Sequence, residues 1–306
     1  MGKIALVFSG QGAQYSGMGQ ELAESNPAAG QVFAEAEALR PGTQAQCFNG
    51  AKEELAQTAN TQPCMFAVEM AAAAALAEAG VKPDYLAGFS VGELAALTFS
   101  GAVSFADGFK LVSARGRLMQ DCSDQADTVM AAVLKLEEQA VEALCANYEQ
   151  IYPVNYNCPG QIVVAGLRTS MEGFKQAVKE AGGKAMPLPV SGAFHTPFMA
   201  EAAQKFQAIL DEVTFQEPRI PLYANYTGSL YGGDFRQLLR EQIVNPVRWQ
   251  QIVEKLANQG VDIFIEVGPG DTLCRFISRI VPEALALHVE DRASLAETLA
   301  QVQAHA

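Results

Sequence analysis

A serine lies between two glycines in the segment Gly-Phe-Ser-Val-Gly at 88–92. A short apolar run precedes this segment and a helical pattern follows it from Glu93, which is the context that a nucleophile elbow requires. The glycines would let strand and helix approach closely around Ser90, and the N–H of Val91 would lie free at the helix N-terminus to bind an oxyanion. The pattern predicts a nucleophilic serine; the alternative is an ordinary glycine-rich turn.

A serine hydroxyl needs a base, and the chain has three histidines. His305 is the penultimate residue, and His288 lies in a Leu-His-Val run that is typical of a strand. His195 lies in the polar, glycine-containing segment 191–197. Elimination makes His195 the candidate base, and a surface-loop histidine is the alternative.

The helix predicted over 105–120 is amphipathic, with Phe105, Phe109, Val112, Gly116 and Met119 on one face. At about 100° per residue, Arg115 lies at the edge of this apolar face and Arg117 points to solvent. A guanidinium beside apolar surface favours a carboxylate partner. That partner is either a substrate or one of the 34 acidic residues of the chain, and helix geometry alone slightly favours the second.

A second glycine-containing loop, Gly-Gln-Gly-Ala-Gln at 10–14, follows the first predicted strand. It lacks the lysine of a P-loop and the third glycine of a dinucleotide fingerprint, so nucleotide binding is only weakly indicated. Such a loop can instead supply a second oxyanion-binding N–H.

Strands and helices alternate around these residues, which predicts an α/β core with a largely parallel sheet. Strands are expected at 4–8 and 85–89, and helices at 64–79, from Glu93 and at 105–120. The first helix is expected to begin after Pro63 and to end at Gly80. After residue 192 we expect a helix at 199–213, a strand near Ile220, a helix ending near Leu239, a helix at 249–259 and a strand at 263–267.

The middle of the chain shows the order βαββαβ, which is the ferredoxin-like arrangement. Its predicted strands are 128–136, 151–155, 161–166 and 184–190, and its predicted helices are 138–148 and 170–181. The expected organisation is therefore a hydrolase-like core, 1–123 and 192–306, with an inserted small domain, 124–191.

Composition limits the classes of function. The net charge of -13 disfavours a nucleic-acid partner, since phosphate binding needs a basic surface. No uninterrupted apolar run is long enough to span a membrane, and the N-terminal run is too short for a secretory signal, so a cytoplasmic location is expected. The six scattered cysteines have no zinc spacing and favour buried thiols in a reducing compartment, so no metal site is expected.

Taken together, these segments resemble the malonyl-CoA:acyl carrier protein transacylases in composition and in order along most of the chain. The matching segments are Gly-Gln-Gly-Ala-Gln at 10–14, Thr-Gln-Pro at 61–63, Gly-x-Ser-x-Gly-Glu at 88–93, Arg-Gly-Arg-Leu-Met at 115–119, Asn-Cys-Pro-Gly-Gln at 157–161, Gly-Ala-Phe-His at 192–195, Gln242 with Asn-Pro-Val at 245–247, and Glu-Val-Gly-Pro-Gly at 266–270.

The resemblance implies a malonyl transferase that uses a covalent serine ester and no cofactor, with malonyl-CoA and an acyl carrier protein as its partners. It implies roles for nine residues. Ser90 is the nucleophile, His195 the base and Gln242 the residue whose main-chain carbonyl orients that base. The oxyanion donors are Gln11 and Val91, the carboxylate-binding residue is Arg115, and the pocket residues are Met119, Asn157 and Phe194. Phe194 is what malonyl-selective members carry. A monomer is expected.

Phe89 departs from the family, which usually has histidine before the nucleophile. We expect activity to survive, because this position lies outside the Ser–His pair. Carrier proteins are acidic, so docking one on this acidic chain would need a local basic patch, for which Lys184, Arg275 and Arg279 are candidates.

Three alternatives stay open. A serine esterase or thioesterase would share the elbow, although no HGGG-type loop is present and 111 residues follow His195. A non-catalytic carrier-binding subunit would not need Ser90 and His195. A transferase could also feed fatty acid synthesis, polyketide synthesis or malonate metabolism.

Overall fold

A computed structural model describes residues 2–190 and 192–305 of the chain, so that Met1, Ser191 and Ala306 lie outside the described residues. Its strands are β1 (Lys3–Phe8), β2 (Tyr85–Gly88), β3 (Thr128–Leu134), β4 (Ile151–Cys158), β5 (Gln161–Leu167), β6 (Lys184–Pro187), β7 (Leu222–Ala224), β8 (Ser229–Leu230), β9 (Val261–Val267) and β10 (Leu285–Val289). Its helices are α1 (Gln20–Ser25), α2 (Pro27–Leu39), α3 (Thr43–Asn49), α4 (Lys52–Leu55), α5 (Thr58–Glu78), α6 (Gly92–Phe99), α7 (Phe105–Ser123), α8 (Glu138–Ala146), α9 (Arg168–Glu180), α10 (Ala200–Leu210), α11 (Phe235–Val244), α12 (Trp249–Asn258), α13 (Thr272–Ile280) and α14 (Arg292–His305), with a 3₁₀ turn at Pro197–Met199.

The larger sheet has six strands in the order β10-β9-β1-β2-β7-β8. Its first five strands pair in parallel, and β8 adds an antiparallel edge. Successive side chains of a strand point to opposite faces of the sheet, and helices pack against both faces. Leu6 of β1 belongs to the core with α5, α6 and α7, whereas Ala5 and Val7 pack with α12 and α13. The predicted α/β core with a parallel sheet is confirmed.

The smaller sheet is antiparallel, with the strand order β4-β5-β3-β6. The elements that build it follow each other along the chain as βαββαβ, as the sequence predicts. The helices α8 and α9 bury Val141, Phe174 and Val178 against this sheet. From the two sheets we propose the division into a core, 1–123 with 192–306, and a small domain, 124–191; its limits at 1, 191 and 306 lie outside the described residues.

Two helix boundaries differ from the predictions by about five residues or more, and the others by three or fewer. The helix α5 begins at Thr58 rather than after Pro63, which therefore lies inside it. Pro63 is the sixth residue of this helix, and the Thr61 hydroxyl in the turn before it bonds back to the carbonyls of Leu55 and Gln57. Gly80 does end the helix: its φ is +87°, and the N–H of Val81 reaches back to the Leu76 carbonyl.

The helix α11 continues to Val244, five residues beyond the predicted end near Leu239. Asp234 caps its start by accepting from the N–H groups of Arg236 and Gln237, and Asn245 ends it in extended backbone before Pro246. This longer helix carries Gln242. Among the described residues, no helix combines the length and apolarity that crossing a membrane requires.

Candidate active site

Ser90 lies in the sharp turn that joins β2 to α6, and its φ of +54° is in the left-handed region. The two flanking glycines make this turn possible. A Cβ on Gly88 would lie 2.1 Å from the carbonyl carbon of Gly92, and a Cβ on Gly92 would lie 2.4 Å from the carbonyl oxygen of Phe8. The strand, the turn and the helix therefore approach more closely than any side chain allows, and Ser90 is left projecting at the tip.

The Ser90 hydroxyl is in direct contact with His195. Its Oγ lies 2.7 Å from Nε2 of the imidazole, and Nδ1 of the same ring lies 2.7 Å from the main-chain carbonyl oxygen of Gln242. Since a carbonyl only accepts, Nδ1 carries the proton and Nε2 is free to accept from the serine. Burial, together with the nearby Arg115 charge, lowers the pKa of His195 to about 4. The ring is neutral near pH 7 and can act as a base.

Arg115 is buried, at 1% exposure, whereas Arg117 is exposed, as the helical geometry predicts. Its Nη1 donates to Gln62 Oε1 at 2.9 Å, and its Nη2 donates to Gln242 Oε1 at 2.8 Å and to Ser90 Oγ at 3.1 Å. Burial lowers its pKa to about 10, which leaves it a cation at neutral pH.

No carboxylate among the described residues lies within ion-pair distance of Arg115, and the charge of Glu93 reaches it only through the amide of Gln242. The Nε of Arg115 is buried and has no hydrogen-bond partner in the described part of the chain. A buried cation with an unpartnered Nε, whose Nη2 lies 3.1 Å from a candidate nucleophile, can receive a small anionic group.

Two backbone N–H groups are available near the turn. The N–H of Val91, at the start of α6, and that of Gln11, after β1, donate to no acceptor among residues 2–190 and 192–305. The Gln11 side chain is tied to the Thr58 hydroxyl at 3.1 Å, which fixes the loop. The arrangement can hold a developing oxyanion.

A cavity of about 580 Å³ adjoins this loop and lies between the two sheets. Gln11 and Asn157 line it, and the buried Asn157 Oδ1 has no partner in the described part of the chain. Phe89 also lines it, with its ring 5.5 Å from that of Trp249 and 6.4 Å from that of Phe276. The residue that replaces the usual histidine therefore forms an apolar wall.

The remaining predicted pocket residues, Met119 and Phe194, are both buried. The Sδ of Met119 lies 3.6 Å from Nε2 of Gln62, which in turn binds Arg115. Phe194 is 7% exposed and packs in the main core directly before His195. Neither is among the described residues that line the cavity.

The three candidate docking cations are not together. Arg275 and Arg279 line the rim of the cavity beside α13, whereas Lys184 lines a separate pocket with three other lysines of the small sheet and its helices. Arg279 also donates to the carbonyl of Pro159 and to Gln161, and so joins α13 to the β4–β5 turn.

Sequence reasoning misses four polar residues at this site: Gln62, Glu93, Asn225 and Tyr231. Gln62 and Glu93 belong to segments that carry the resemblance, so their position beside the other motifs is the signal that could identify them. Asn225 and Tyr231 have no local signal. Asn225 nevertheless accepts from the Ser90 N–H at 2.7 Å and donates to the Gly88 carbonyl at 2.6 Å.

Comparison with known proteins agrees with the resemblance found in the sequence motifs. Residues 5–300 match the family model of the acyl transferase domain. The malonyl CoA-acyl carrier protein transacylase of Bacillus subtilis (strain 168) is 36% identical over 299 residues, which cover 95% of this chain and 94% of that protein. The crystal structure of the transacylase of the same name from Clostridium perfringens has a TM-score of 0.96 at 35% identity and covers 99% of this chain and 98% of its own.

A further solved structure contains a carrier. It is a type II PKS acyl-carrier protein in complex with its malonyl-transacylase, and the matching chain has a TM-score of 0.94 at 35% identity, with 98% of this chain and 99% of that chain covered. The likeness thus extends over the whole described fold, including the elements that carry Ser90, Arg115 and His195.

Proposed function

Since the chain belongs to the acyl transferase family, among the malonyl-CoA:acyl carrier protein transacylases, we propose that it moves malonyl from malonyl-CoA to the phosphopantetheine thiol of an acyl carrier protein. The observation that carries this proposal is the buried Arg115, which donates to Ser90 Oγ at 3.1 Å and has no carboxylate partner among the described residues. A malonyl group brings the carboxylate that this cation lacks.

In the first half-reaction, His195 Nε2 takes the proton of Ser90 Oγ as that oxygen attacks the thioester carbonyl. The N–H groups of Gln11 and Val91 bind the oxyanion, and the main-chain carbonyl of Gln242 stabilises the imidazolium that forms. The C–S bond then breaks, the coenzyme A sulfur takes the proton from His195, and a malonyl-serine ester remains.

In the second half-reaction, the carrier thiol gives its proton to His195 and attacks the ester. The C–O bond breaks and Ser90 recovers the proton, which completes a ping-pong cycle. Arg115 holds the malonyl carboxylate throughout and so keeps the ester carbonyl oriented towards the incoming thiol rather than free in the cavity. Asn157 serves the cavity wall, and Met119 and Phe194 shape the site. A cytoplasmic location and a monomeric state are part of the proposal and rest on the sequence alone.

The test is the intact-protein mass after mixing with malonyl-CoA. We expect one malonyl adduct, located on Ser90 by peptide mapping, and its loss in Ser90→Ala together with a fall in transfer of about three to six orders of magnitude. Ser100→Ala, a buried serine at the other end of α6, is the matched control and should keep the adduct. An adduct that persists in Ser90→Ala would contradict the assignment.

The same experiment separates the alternatives. Free malonate as the main product in the presence of carrier protein would favour a thioesterase. Absence of any adduct would favour a carrier-binding subunit without catalysis.

A further inference from the structure

A buried glutamate of the protein lies beside the site and takes no part in the two half-reactions of acyl transfer. Glu93, in the first turn of α6, is 0% exposed. Its Oε2 accepts from the N–H of Asn225 at 3.0 Å and from Nε2 of Gln242 at 2.9 Å, and its Oε1 accepts from the hydroxyl of Tyr231. Three donors around one buried carboxyl group are what an ionised carboxylate requires and more than an amide in its place could accept.

The hydrogen bond to Glu93 fixes the orientation of the Gln242 side-chain amide. Both protons of its Nε2 are used, one on Glu93 Oε2 and one on the Ser90 carbonyl at 2.8 Å. Its Oε1 must therefore face Arg115 Nη2, from which it accepts at 2.8 Å. If the amide were turned over, two donors would face each other at Arg115 and an oxygen would face the Glu93 carboxylate.

We propose that Glu93 is a positioning residue: its buried carboxylate, held by Tyr231, fixes the amide of Gln242 and thereby places Arg115 for the substrate carboxylate. The inference rests on the proposed function of Arg115. Glu93 lies two hydrogen bonds from Arg115 and touches neither substrate nor His195. Its effect should thus appear in the preference for a carboxylated acyl group rather than in acyl transfer as such.

The ionisable groups that face Glu93 are few. They are the Tyr231 hydroxyl, which follows β8, and the Arg115 guanidinium on α7. The buried acid of the neighbouring α5, Glu69, faces Glu266 instead. Burial raises the pKa of Glu93, and its hydrogen bonds to Tyr231, Gln242 and Asn225, with the Arg115 charge, oppose that rise. Losing Tyr231 as a donor should consequently raise the pKa of Glu93 further.

The first variant is Glu93→Gln, which keeps the shape of the side chain and removes its charge. We expect kcat/KM for acylation by malonyl-CoA to fall at least about tenfold more than kcat/KM for acetyl-CoA, because only the first substrate needs Arg115 in place. The matched control is Tyr223→Phe, which removes a buried tyrosyl hydroxyl on β7 that does not reach Glu93. It should leave the malonyl-to-acetyl ratio within about twofold of that of the unchanged protein.

The second variant, Tyr231→Phe, is milder and decides the matter if Glu93→Gln does not fold. Its malonyl-to-acetyl ratio should match the unchanged protein at pH 8 and fall as the pH is lowered towards 5, beginning at a higher pH than in the unchanged protein, because Glu93 now binds a proton more readily. If Glu93 had only a structural role, the substitution would lower kcat/KM for both substrates equally at all pH values. Equal losses for both substrates, or an unshifted pH dependence in Tyr231→Phe, would overturn the inference.

Failure of the inference can be told from failure of the proposed function. If the unchanged protein forms no malonyl adduct at all, the proposed function fails. If it forms the adduct with a strong preference over acetyl and both variants keep that preference, only the role of Glu93 fails.

Discussion

Two glutamates at 0% exposure stand in opposite surroundings within the same core. Glu93, beside the candidate active site, accepts from three donors and faces a guanidinium. Glu69, in the middle of α5, has no hydrogen-bond partner for either oxygen among the described residues, and its charged neighbour is another acid, Glu266. Burial raises the pKa of both carboxyl groups, but only Glu93 is surrounded by groups that lower it again.

The contrast shows that burial alone does not decide whether an acid carries charge. At Glu93 the donors and the cation replace the water that was lost, so the carboxylate can anchor a polar network. At Glu69 burial and the charge of Glu266 both raise the pKa, which favours the neutral acid, and the side chain packs against the Gly268 turn.

Within this comparison, the largest effect is expected from removing Arg115, the cation that faces Glu93. Arg115→Ala should lower kcat/KM for malonyl-CoA by about tens- to thousands-fold, since a buried charge-assisted interaction is worth about 2 to 5 kcal/mol. Acetyl transfer should be retained or improved, because no unpaired guanidinium then faces an apolar acyl group. The measurement is the ratio of the two kcat/KM values.

Arg117→Ala is the control, because this side chain lies on the same helix and is exposed. It should leave the ratio almost unchanged. Should Arg117→Ala abolish the preference while Arg115→Ala keeps it, the carboxylate site would lie on the other side of α7 and the substrate assignment would lose its main support.

Much of this region can be predicted from the sequence, for reasons that are local. Glycine spacing predicts the turn at Ser90, and helical periodicity separates Arg115 from Arg117. Alternation of strands and helices predicts the parallel sheet, and the order βαββαβ predicts the antiparallel one. The glycine spacing and the helical periodicity act within one element, where chain geometry dictates which side chains share a face.

The rest depends on contacts between distant parts of the chain. Tyr231 lies 138 residues from Glu93, and no periodicity links them. Proline is favoured at the first turn of a helix, so Pro63 predicts a start six residues later than the Thr58 at which α5 begins. The helices between Gln20 and Leu55 have no counterpart among the predicted elements, and three of the four have seven residues or fewer, which is about two helical turns or less.

An intermediate effect is expected at the neutral acid, and it should have the opposite sign. Glu69→Met replaces unpartnered buried oxygens by apolar atoms of similar length and should stabilise the fold by about 1 to 3 kcal/mol at pH 8. In the folded chain the pKa of Glu69 lies well above its ordinary 4.5, so the folded state holds this proton more tightly than the unfolded state does. Stability of the unchanged protein should therefore fall as the pH rises above about 4.5.

Urea unfolding of both proteins at pH 5 and pH 8 measures this. The gain from Glu69→Met should be larger at pH 8, because the unfolded carboxyl is then ionised whereas burial and Glu266 raise the pKa of the folded one. Glu93→Met is the matched comparison and should destabilise the protein at both pH values, because it leaves three buried donors without an acceptor. A gain from Glu69→Met that does not depend on pH would mean that Glu69 is ionised in the folded chain.

The smallest effect is expected where the charges are exposed. The side chain of Arg275 is 76% exposed at the rim of the cavity and pairs with Asp271 at 2.7 Å, whereas Arg115 is buried. Salt screens exposed charges beyond about 10 Å at 0.1 M and acts much less on buried ones. Raising the salt concentration should therefore raise KM for an acidic carrier protein by about two- to fivefold and change the malonyl-to-acetyl preference little.

Because Arg275 lines the cavity and Lys184 does not, Arg275→Gln should weaken carrier capture more than Lys184→Gln does. If transfer to the carrier is independent of salt and of both substitutions, these exposed cations do not guide docking, and the functional charge of this chain lies in its buried region alone.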